Sequence, residues 1–279
     1  MIELGKYQLL EVIKNSKFGL YLSEQGSNSG DTVLLPAKEV PENITIGDLI
    51  KVFIYKDTED RIVATTKEVP VTLGELAVLK VKEVSNIGAF LDWGLIKDLF
   101  LPYKEQTSKV KAGDLVLIAL YVDKSNRLCA TMKVYDLLST DSGYKKDDLV
   151  TGFVYDKIDS FGVFVAVDNI YSAMIPKNEL YSSVNIGDTV NARVISVRED
   201  GKLNLSLRDK AYIQIGSDSE MILNRLKTSD GFLPYNDSSD PELIKSEFNI
   251  SKNAFKRAIG KLYKDGIISI NDDGIRLII

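Results

Sequence analysis

The chain has 279 residues, of which 44% are hydrophobic and 27% charged, so it holds several small cores and is too long for one barrel. Its 35 Lys plus Arg against 40 Asp plus Glu give a net charge of -5, which excludes a protein that grips nucleic acid by bulk positive charge. With no histidine and a single cysteine, Cys129, it has no Ser-His-Asp triad, Cys-His pair, imidazole zinc site or intrachain disulfide.

The opening MIELGKYQLLEVIKN has no basic stretch leading into an apolar one, so it does not read as a cleaved secretion signal. No segment approaches the roughly 20 uninterrupted apolar residues of a membrane span. A cytoplasmic location away from membranes is the default expectation.

From the N-terminus, one pattern occurs three times. Residues 1–69 carry SKFGLYL (16–22), LLPAKEV (34–40) and IGDLIKVFIYKDTEDRIVATTK (46–67). Residues 70–143 carry SNIGAFL (85–91), FLPYKEQ (100–106) and AGDLVLIALYVDKSNRLCATMK (112–133). Residues 144–212 carry DSFGVFV (159–165), MIPKNEL (174–180) and IGDTVNARVISVREDGKLNLSLR (186–208). The proline precedes the glycine of the Gly-Asp pair by 11 residues in every copy, and the first glycine precedes the proline by 17, 14 and 14. Fixed spacing with few identities marks an internal repeat.

Runs such as Leu49–Ile54 and Val190–Ile195 are rich in β-formers, and the second alternates apolar with polar residues, so both read as strands. Gly19, Gly88 and Gly162, each between apolar neighbours, are expected in a sharply bent strand or bulge where a side chain would clash. The pairs Gly47-Asp48, Gly113-Asp114 and Gly187-Asp188 are turn signals before a strand, and Asp200-Gly201 suits a hairpin turn. Closely spaced turns without long helical stretches predict small antiparallel barrels.

Each copy resembles the S1-type RNA-binding domain, an OB-fold barrel, and the third copy matches it best from Leu149 to Arg208. The resemblance implies that aromatics beside the glycine line an RNA-binding face: Phe161 and Phe164 in copy three, Phe18 and Tyr21 in copy one, Ile87 and Phe90 in copy two. It also implies basic residues at the last hairpin, namely Arg61, Arg127 and Lys202, with an acidic companion at Asp57 and Asp123 that is replaced by Arg198 in copy three. That replacement, with Arg193 nearby, makes copy three the most cationic. Pro36, Pro102 and Pro176 stand where many members of the family carry a histidine. An aromatic on an alternating strand also serves as a core residue, and Arg61 and Arg127 also read as ordinary surface charges. Trp93, beside a turn, has two readings, a base-stacking ring or a cap on the second barrel. The longer Gln25–Gly30 loop makes the first barrel the most divergent.

After Arg208 the period becomes helical in SDSEMILNRLKTSDG (217–231) and DPELIKSEFN (240–249), with start signals at Ser217 and at Asp240-Pro241. A third helix from about Ser251 to Lys264 puts Phe255, Ile259 and Leu262 on one face. Lys252, Lys256, Lys261 and Lys264 fall elsewhere on that helix. Gly266 ends it, and a hairpin around Asp272-Asp273-Gly274 follows. Residues 213–279 thus resemble a winged helix, an α+β unit whose third helix occupies the recognition position. The unit is not basic, with nine Lys plus Arg against ten Asp plus Glu, and surface helices ordinarily carry lysines. Lysine-rich character suits phosphate contacts to RNA better than base-edge reading of DNA, which relies more on arginine.

Three tandem S1-like OB-fold β-barrels followed by a winged helix make a mainly β protein that resembles the bacterial conserved virulence factor B family over essentially the whole chain. The resemblance implies a non-enzymatic, RNA-binding regulator of gene expression without a cofactor. The partner expected is single-stranded RNA, held by Phe161, Phe164, Lys202, Arg198, Arg193, Phe90, Arg127, Phe18, Tyr21 and Arg61, with Lys252, Lys256 and Lys261 assisting. The alternative is a protein-interaction scaffold whose winged helix docks a partner. No phosphate-binding loop, dinucleotide fingerprint or C-x-x-C pair occurs. Asp147-Asp148 and Asp272-Asp273 sit in turn-like sequence and do not read as metal ligands. A nuclease built on scattered carboxylates is the one enzyme class still open.

Overall fold

The computed structural model describes residues 2–26, 30–180, 183–207 and 211–278. Ser27, Asn28 and Ser29 of the long first-barrel loop, and the closing Arg208 of the third copy, lie outside the described residues. The chain divides into two compact units, Met1–Leu207 and Arg208–Ile279. No described helix is long and apolar enough to cross a membrane.

The first unit consists of three closed five-stranded barrels. Barrel 1 comprises β1 (Tyr7–Ser16), β2 (Gly19–Ser23), β3 (Val33–Pro36), β4 (Leu49–Lys56) and β5 (Ile62–Thr65), closed in the order β1-β2-β3-β5-β4. Barrel 2 repeats that order with β6 (Leu76–Val84), β7 (Gly88–Asp92), β8 (Leu99–Pro102), β9 (Leu115–Val122) and β10 (Leu128–Thr131). Barrel 3 does so again with β11 (Leu149–Ile158), β12 (Gly162–Val167), β13 (Tyr171–Pro176), β14 (Thr189–Val197) and β15 (Leu203–Ser206). In each barrel the third and fifth strands pair in parallel and every other pairing is antiparallel.

The repeated motifs occupy equivalent places. Gly19, Gly88 and Gly162 open the second strand at φ +138°, +157° and +135°. A Cβ there would lie 2.0 Å from the carbonyl oxygen of Leu35, 2.4 Å from that of Leu101 and 2.1 Å from that of Ile175. The expected clash is therefore present, but the bulge is elsewhere. Register breaks between Val12 and Lys14, Val81 and Glu83, and Val154 and Asp156, in the first strand of each barrel. The glycine instead lets the third strand come close, while the first strand carries the extra residue that bends it around the barrel.

Each proline ends the third strand and leads into a 3-10 turn whose last residue is glutamate: Glu39, Glu105 and Glu179. That carboxylate accepts from a hydroxyl at the end of the fifth strand. Thr65 donates to Glu39, Thr131 to Glu105 at 2.8 Å, and Ser206 to Glu179 at 2.6 Å. The clamp fastens the parallel seam of the barrel, and its charged acceptor makes it stronger than a neutral hydrogen bond.

The two junctions within this unit are built differently. Phe53 and Tyr55 point away from the interior of barrel 1, yet both are buried, because Trp93 of barrel 2 packs edge-on against them with ring centroids at 6.0 Å and 6.5 Å. Trp93 is itself buried and donates from Nε1 to the Lys97 carbonyl at 2.7 Å. Of its two readings, the structure gives it a packing position at this junction; burying an indole of that size contributes at most about 4–6 kcal/mol. Between barrels 2 and 3, Leu117 and Ala119 of β9 meet Phe153 and Tyr155 of β11, with Val134 and Leu138 of the connecting segment filling the space.

The second unit contains α1 (Ala211–Thr228), β16 (Phe232–Leu233), α2 (Pro241–Phe248), α3 (Lys252–Lys264), β17 (Ile268–Asn271) and β18 (Gly274–Leu277). Its sheet has the order β16-β18-β17. Asp240 caps α2 by accepting from Glu242 N at 2.8 Å, and Ser251 caps α3 by accepting from Ala254 N at 3.2 Å. Ser217 does not start the first helix; the helix begins at Ala211 and passes through Gly216 and Ser217. The propensity cost of those residues is about 1 kcal/mol each or less. It is outweighed by burial of Ile222 and Leu226 and by the Ser219 hydroxyl, which donates to the Ala258 carbonyl at 3.2 Å.

Candidate nucleic-acid interface

Register defines an equivalent outward-facing row on the three barrels, because residues that alternate with the buried ones pair directly across strands. In barrel 1 the row is Tyr21, Leu34, Val63 and Tyr55. In barrel 2 it is Phe90, Phe100, Cys129 and Tyr121, and in barrel 3 it is Phe164, Met174, Asn204 and Ser196. Barrel 2 therefore has two adjacent aromatic rings at the start of its row.

Those rings open onto a cleft of about 540 Å³. Phe90 and Phe100 lie with centroids 5.3 Å apart and planes at 37°. Ile87 and Ile96 add exposed apolar surface at its edge, 59% and 74% accessible. Barrel 1 supplies one wall through Lys56, Thr58 and Asp60 of its β4–β5 hairpin, and Arg127 comes from the equivalent hairpin of barrel 2. Lys97 ties the walls together, donating to the Asp57 carbonyl at 2.9 Å and pairing with Asp60 at 2.6 Å. This contact holds the Asp60 carboxyl below its ordinary value. Lining cations Lys56, Lys97 and Arg127 are matched by Asp60, Glu83 and Asp98. The cleft thus offers stacking surface with local cations, without net positive charge.

Cys129 forms part of the cleft lining but is buried, and that burial pushes its thiol up to about 11. It is protonated at neutral pH and is not poised as a nucleophile. Among the described residues no group of three or more Cys, Asp or Glu side chains is arranged to hold a metal ion.

The residues singled out in barrel 3 are separated by the structure. Phe161 stands exposed (62%) in the β11–β12 turn, whereas Phe164 is half-buried and packs edge-on against Tyr135 from the turn after barrel 2, at 5.8 Å. Lys202 is directed at the same Tyr135, with Nζ 4.7 Å from the ring centre. Arg198 and Lys202 share Asp200, at 3.2 Å and 3.6 Å, so the local excess of positive charge is partly cancelled. Arg193 is mostly buried and pairs with Asp147 at 2.9 Å.

In barrel 1, Phe18 is 62% exposed and lies under the Lys17 ammonium at 5.0 Å, while Tyr21 is half-buried with Lys14 at 5.8 Å. Arg61 and Arg127 are each held by the aspartate four residues earlier, Asp57 at 2.7 Å and Asp123 at 3.1 Å. Burial raises both carboxyls, but hydrogen bonds from the arginine side chain and from backbone N–H groups outweigh it and hold them below the ordinary range.

On α3, Ala254, Phe255, Ala258, Ile259 and Leu262 face the core. Lys252 is half-buried and donates to the Ser238 carbonyl at 3.4 Å; Lys256 pairs with Asp237 at 3.6 Å, and Lys261 is exposed. Arg257, passed over by a reading that followed the lysines, is also exposed on this helix. Phe100 was legible in principle, since it alternates with inward Leu99 and Leu101 in FLPYKEQ. Tyr135 and the wall from barrel 1 carry no sequence signal, because both arise from how one barrel packs against the next.

Comparison with known proteins matches the S1 domain model over residues 4–67 and 73–133. The second-domain model of the virulence regulatory factor CvfB matches residues 137–209, and the CvfB-like winged helix domain model matches residues 220–277. The chain is 34% identical to the uncharacterized protein YitL of Bacillus subtilis, covering 94% of this chain and 89% of that protein. It is 30% identical to conserved virulence factor B of Staphylococcus aureus, covering 98% and 94%. A crystal structure of a multidomain protein with nucleic acid binding domains from Streptococcus pneumoniae is 30% identical and covers 99% of this chain and 98% of that one, with a TM-score of 0.53. Similar to these proteins over nearly its whole length, and matching the CvfB domain models in its C-terminal half, the chain belongs to the conserved virulence factor B family.

Proposed function

We propose that this protein is a non-enzymatic regulator that binds single-stranded RNA, with its main stacking site in the cleft between barrels 1 and 2. The observation that carries this reading is the Phe90–Phe100 pair, two adjacent outward rings in a cleft with Lys56 and Arg127. Aromatic faces accept any base, and nearby cations contact the backbone, which is the combination single-stranded binding uses. The relatives' names and the S1 and winged-helix matches support a nucleic-acid-binding regulator; RNA as the ligand and a post-transcriptional role are the finer proposal. Mostly paired cations predict a modest salt dependence, each phosphate contact adding about 0.7 to the logarithmic slope.

The test is a fluorescence titration of the folded protein with labelled single-stranded RNA, single-stranded DNA and duplex DNA across a salt series. RNA binding that weakens with salt and exceeds duplex DNA binding is the expected result. No binding at micromolar protein and low salt overturns it and favours the scaffold alternative. Incubating the RNA with protein and magnesium or manganese, with product length as the readout, tests the non-enzymatic assignment.

A further inference from the structure

The outward face of barrel 3 is already occupied. Tyr135, from the 3-10 turn Tyr135–Leu137 between barrels 2 and 3, sets its ring against Phe164 at 5.8 Å and 77°. The Lys202 ammonium lies 4.7 Å from the centre of that ring and donates to its hydroxyl at 3.1 Å. A ring against Phe164 with an attached oxygen held by Lys202 reproduces what a nucleobase and a neighbouring phosphate oxygen would offer.

A second observation at the same place points to a ligand. Tyr155 is buried with its ring 6.3 Å from Phe164, and its hydroxyl has no hydrogen-bond partner among the described residues. Buried hydroxyls are nearly always satisfied, so an orphan here calls for a group that satisfies it in another state. Among the described residues the other barrels lack this arrangement. Ile13 and Lys82, at the bulge positions equivalent to Tyr155, are exposed, and the segment after barrel 1 sends Val69 and Val71 into a core.

We propose that the Phe164 face of barrel 3 is a second site for an unpaired nucleobase, filled by Tyr135 as an intramolecular substitute that an RNA strand must displace. The proposal rests on the reading of the protein as an RNA binder. Displacement needs little backbone movement, because Val134 and Leu138 anchor the turn in the junction while Tyr135 is itself partly exposed. A site open in only a fraction of molecules has its apparent affinity reduced by that fraction, so removing the substitute tightens binding.

The experiment compares full-length wild type with Y135A, Y135F and the double variant Y135A/F164A, titrated with labelled hexauridylate. Y135A is expected to bind about tenfold tighter, equivalent to about 1.4 kcal/mol. Y135F, which keeps the ring but loses the bond to Lys202, should gain less, and the double variant should lose the gain. If wild type binds and Y135A binds no tighter, the inference is overturned and Tyr135 is a packing residue. If Y135A does not fold, Y135F decides: a gain supports the site and no gain overturns it. Failure of both wild type and Y135A to bind removes the RNA reading, and this site with it. As an independent readout, tyrosine-labelled wild type should show the Tyr135 ring resonances shifting at saturating RNA; resonances that stay unchanged although RNA binds overturn displacement.

Discussion

Phe90 and Phe100 are direct register partners on β7 and β8, and their rings meet on the outside of barrel 2 at 5.3 Å. Their strand neighbours Ala89, Leu91, Leu99 and Leu101 fill the inside. Strand alternation alone therefore puts two rings side by side on the outside of barrel 2, where they line the cleft.

Replacing Phe90 and Phe100 by alanine should weaken RNA binding by about 1–3 kcal/mol per stacked base, roughly tenfold or more, and leave the β-sheet circular dichroism unchanged. The same pair of substitutions should not affect binding if RNA uses only the winged helix. A folded double variant with wild-type affinity would rule out the cleft as the stacking site.

Glycines in the repeat differ in what they tolerate. Gly113 has φ +96°, and no described residue comes within 4 Å of where a Cβ would sit, so Gly113→Ala should cost about 1 kcal/mol, from backbone strain alone. Gly88→Ala adds a Cβ 2.4 Å from the Leu101 carbonyl oxygen, and the strand pair must move to admit it. It should lower the denaturant midpoint well beyond the change in Gly113→Ala. Equal midpoints for the two variants would show that the close approach of β7 and β8 is not required.

Much of this architecture was legible because spacing between Gly, Pro and Gly-Asp is fixed by barrel geometry. The third-strand proline and the Gly-Asp turn lie 11 residues apart in each copy, and in each barrel they mark the same structural step. The Glu that follows each proline by three residues was equally visible but meant nothing until Thr65, Thr131 and Ser206 were seen at the other end of its hydrogen bond. Site residues were harder to read. Phe161 and Phe164 look like one aromatic pair in sequence, yet Tyr135 covers one and the other projects from a turn. Lys56 meets the aromatic row only because Trp93 docks barrel 2 on the outside of barrel 1.

Acid should weaken the first unit through its hairpin aspartates. Asp57 and Asp123 have folded values below the ordinary carboxylate value of about 3.9, since hydrogen bonds to Arg61, Arg127 and backbone N–H groups outweigh the upward pull of burial. Their contribution is complete above the unfolded value and is lost as pH falls through the lower folded value. Chemical denaturation at stepped pH should show stability declining below about pH 4, with a shallower decline in Asp57→Asn/Asp123→Asn. An identical acid limb in that variant would assign the loss to other groups.

Cys129 should resist alkylation while the protein is folded. Burial raises its thiol to about 11, above the unfolded value of about 8.5. The protonated form is therefore favoured by folding, a contribution present below about 8.5 and lost as pH rises towards 11. Iodoacetamide at pH 8 should label the denatured chain readily and the folded chain slowly. Equal labelling rates would mean that the cleft opens far enough to expose β10.

The winged helix should add phosphate contacts. Lys256 is tied to Asp237 by an exposed pair at 3.6 Å, and Lys252 reaches the Ser238 carbonyl at 3.4 Å. Such surface contacts are worth at most about 1 kcal/mol and exchange readily for a phosphate. Replacing Lys252, Lys256 and Lys261 together should weaken binding to unrelated RNA sequences alike and flatten the salt slope by about two, at roughly 0.7 per lysine. Arg257→Ala serves as the companion variant: loss confined to one RNA sequence would assign it base contacts, and a uniform loss would group it with the lysines. Because α1 begins at Ala211, deletion should run from 208 to 279 rather than cut into the helix. The remaining barrels should bind RNA more weakly than the full chain. If they bind as tightly, the winged helix is a structural or protein-docking unit and its lysines are ordinary surface charges.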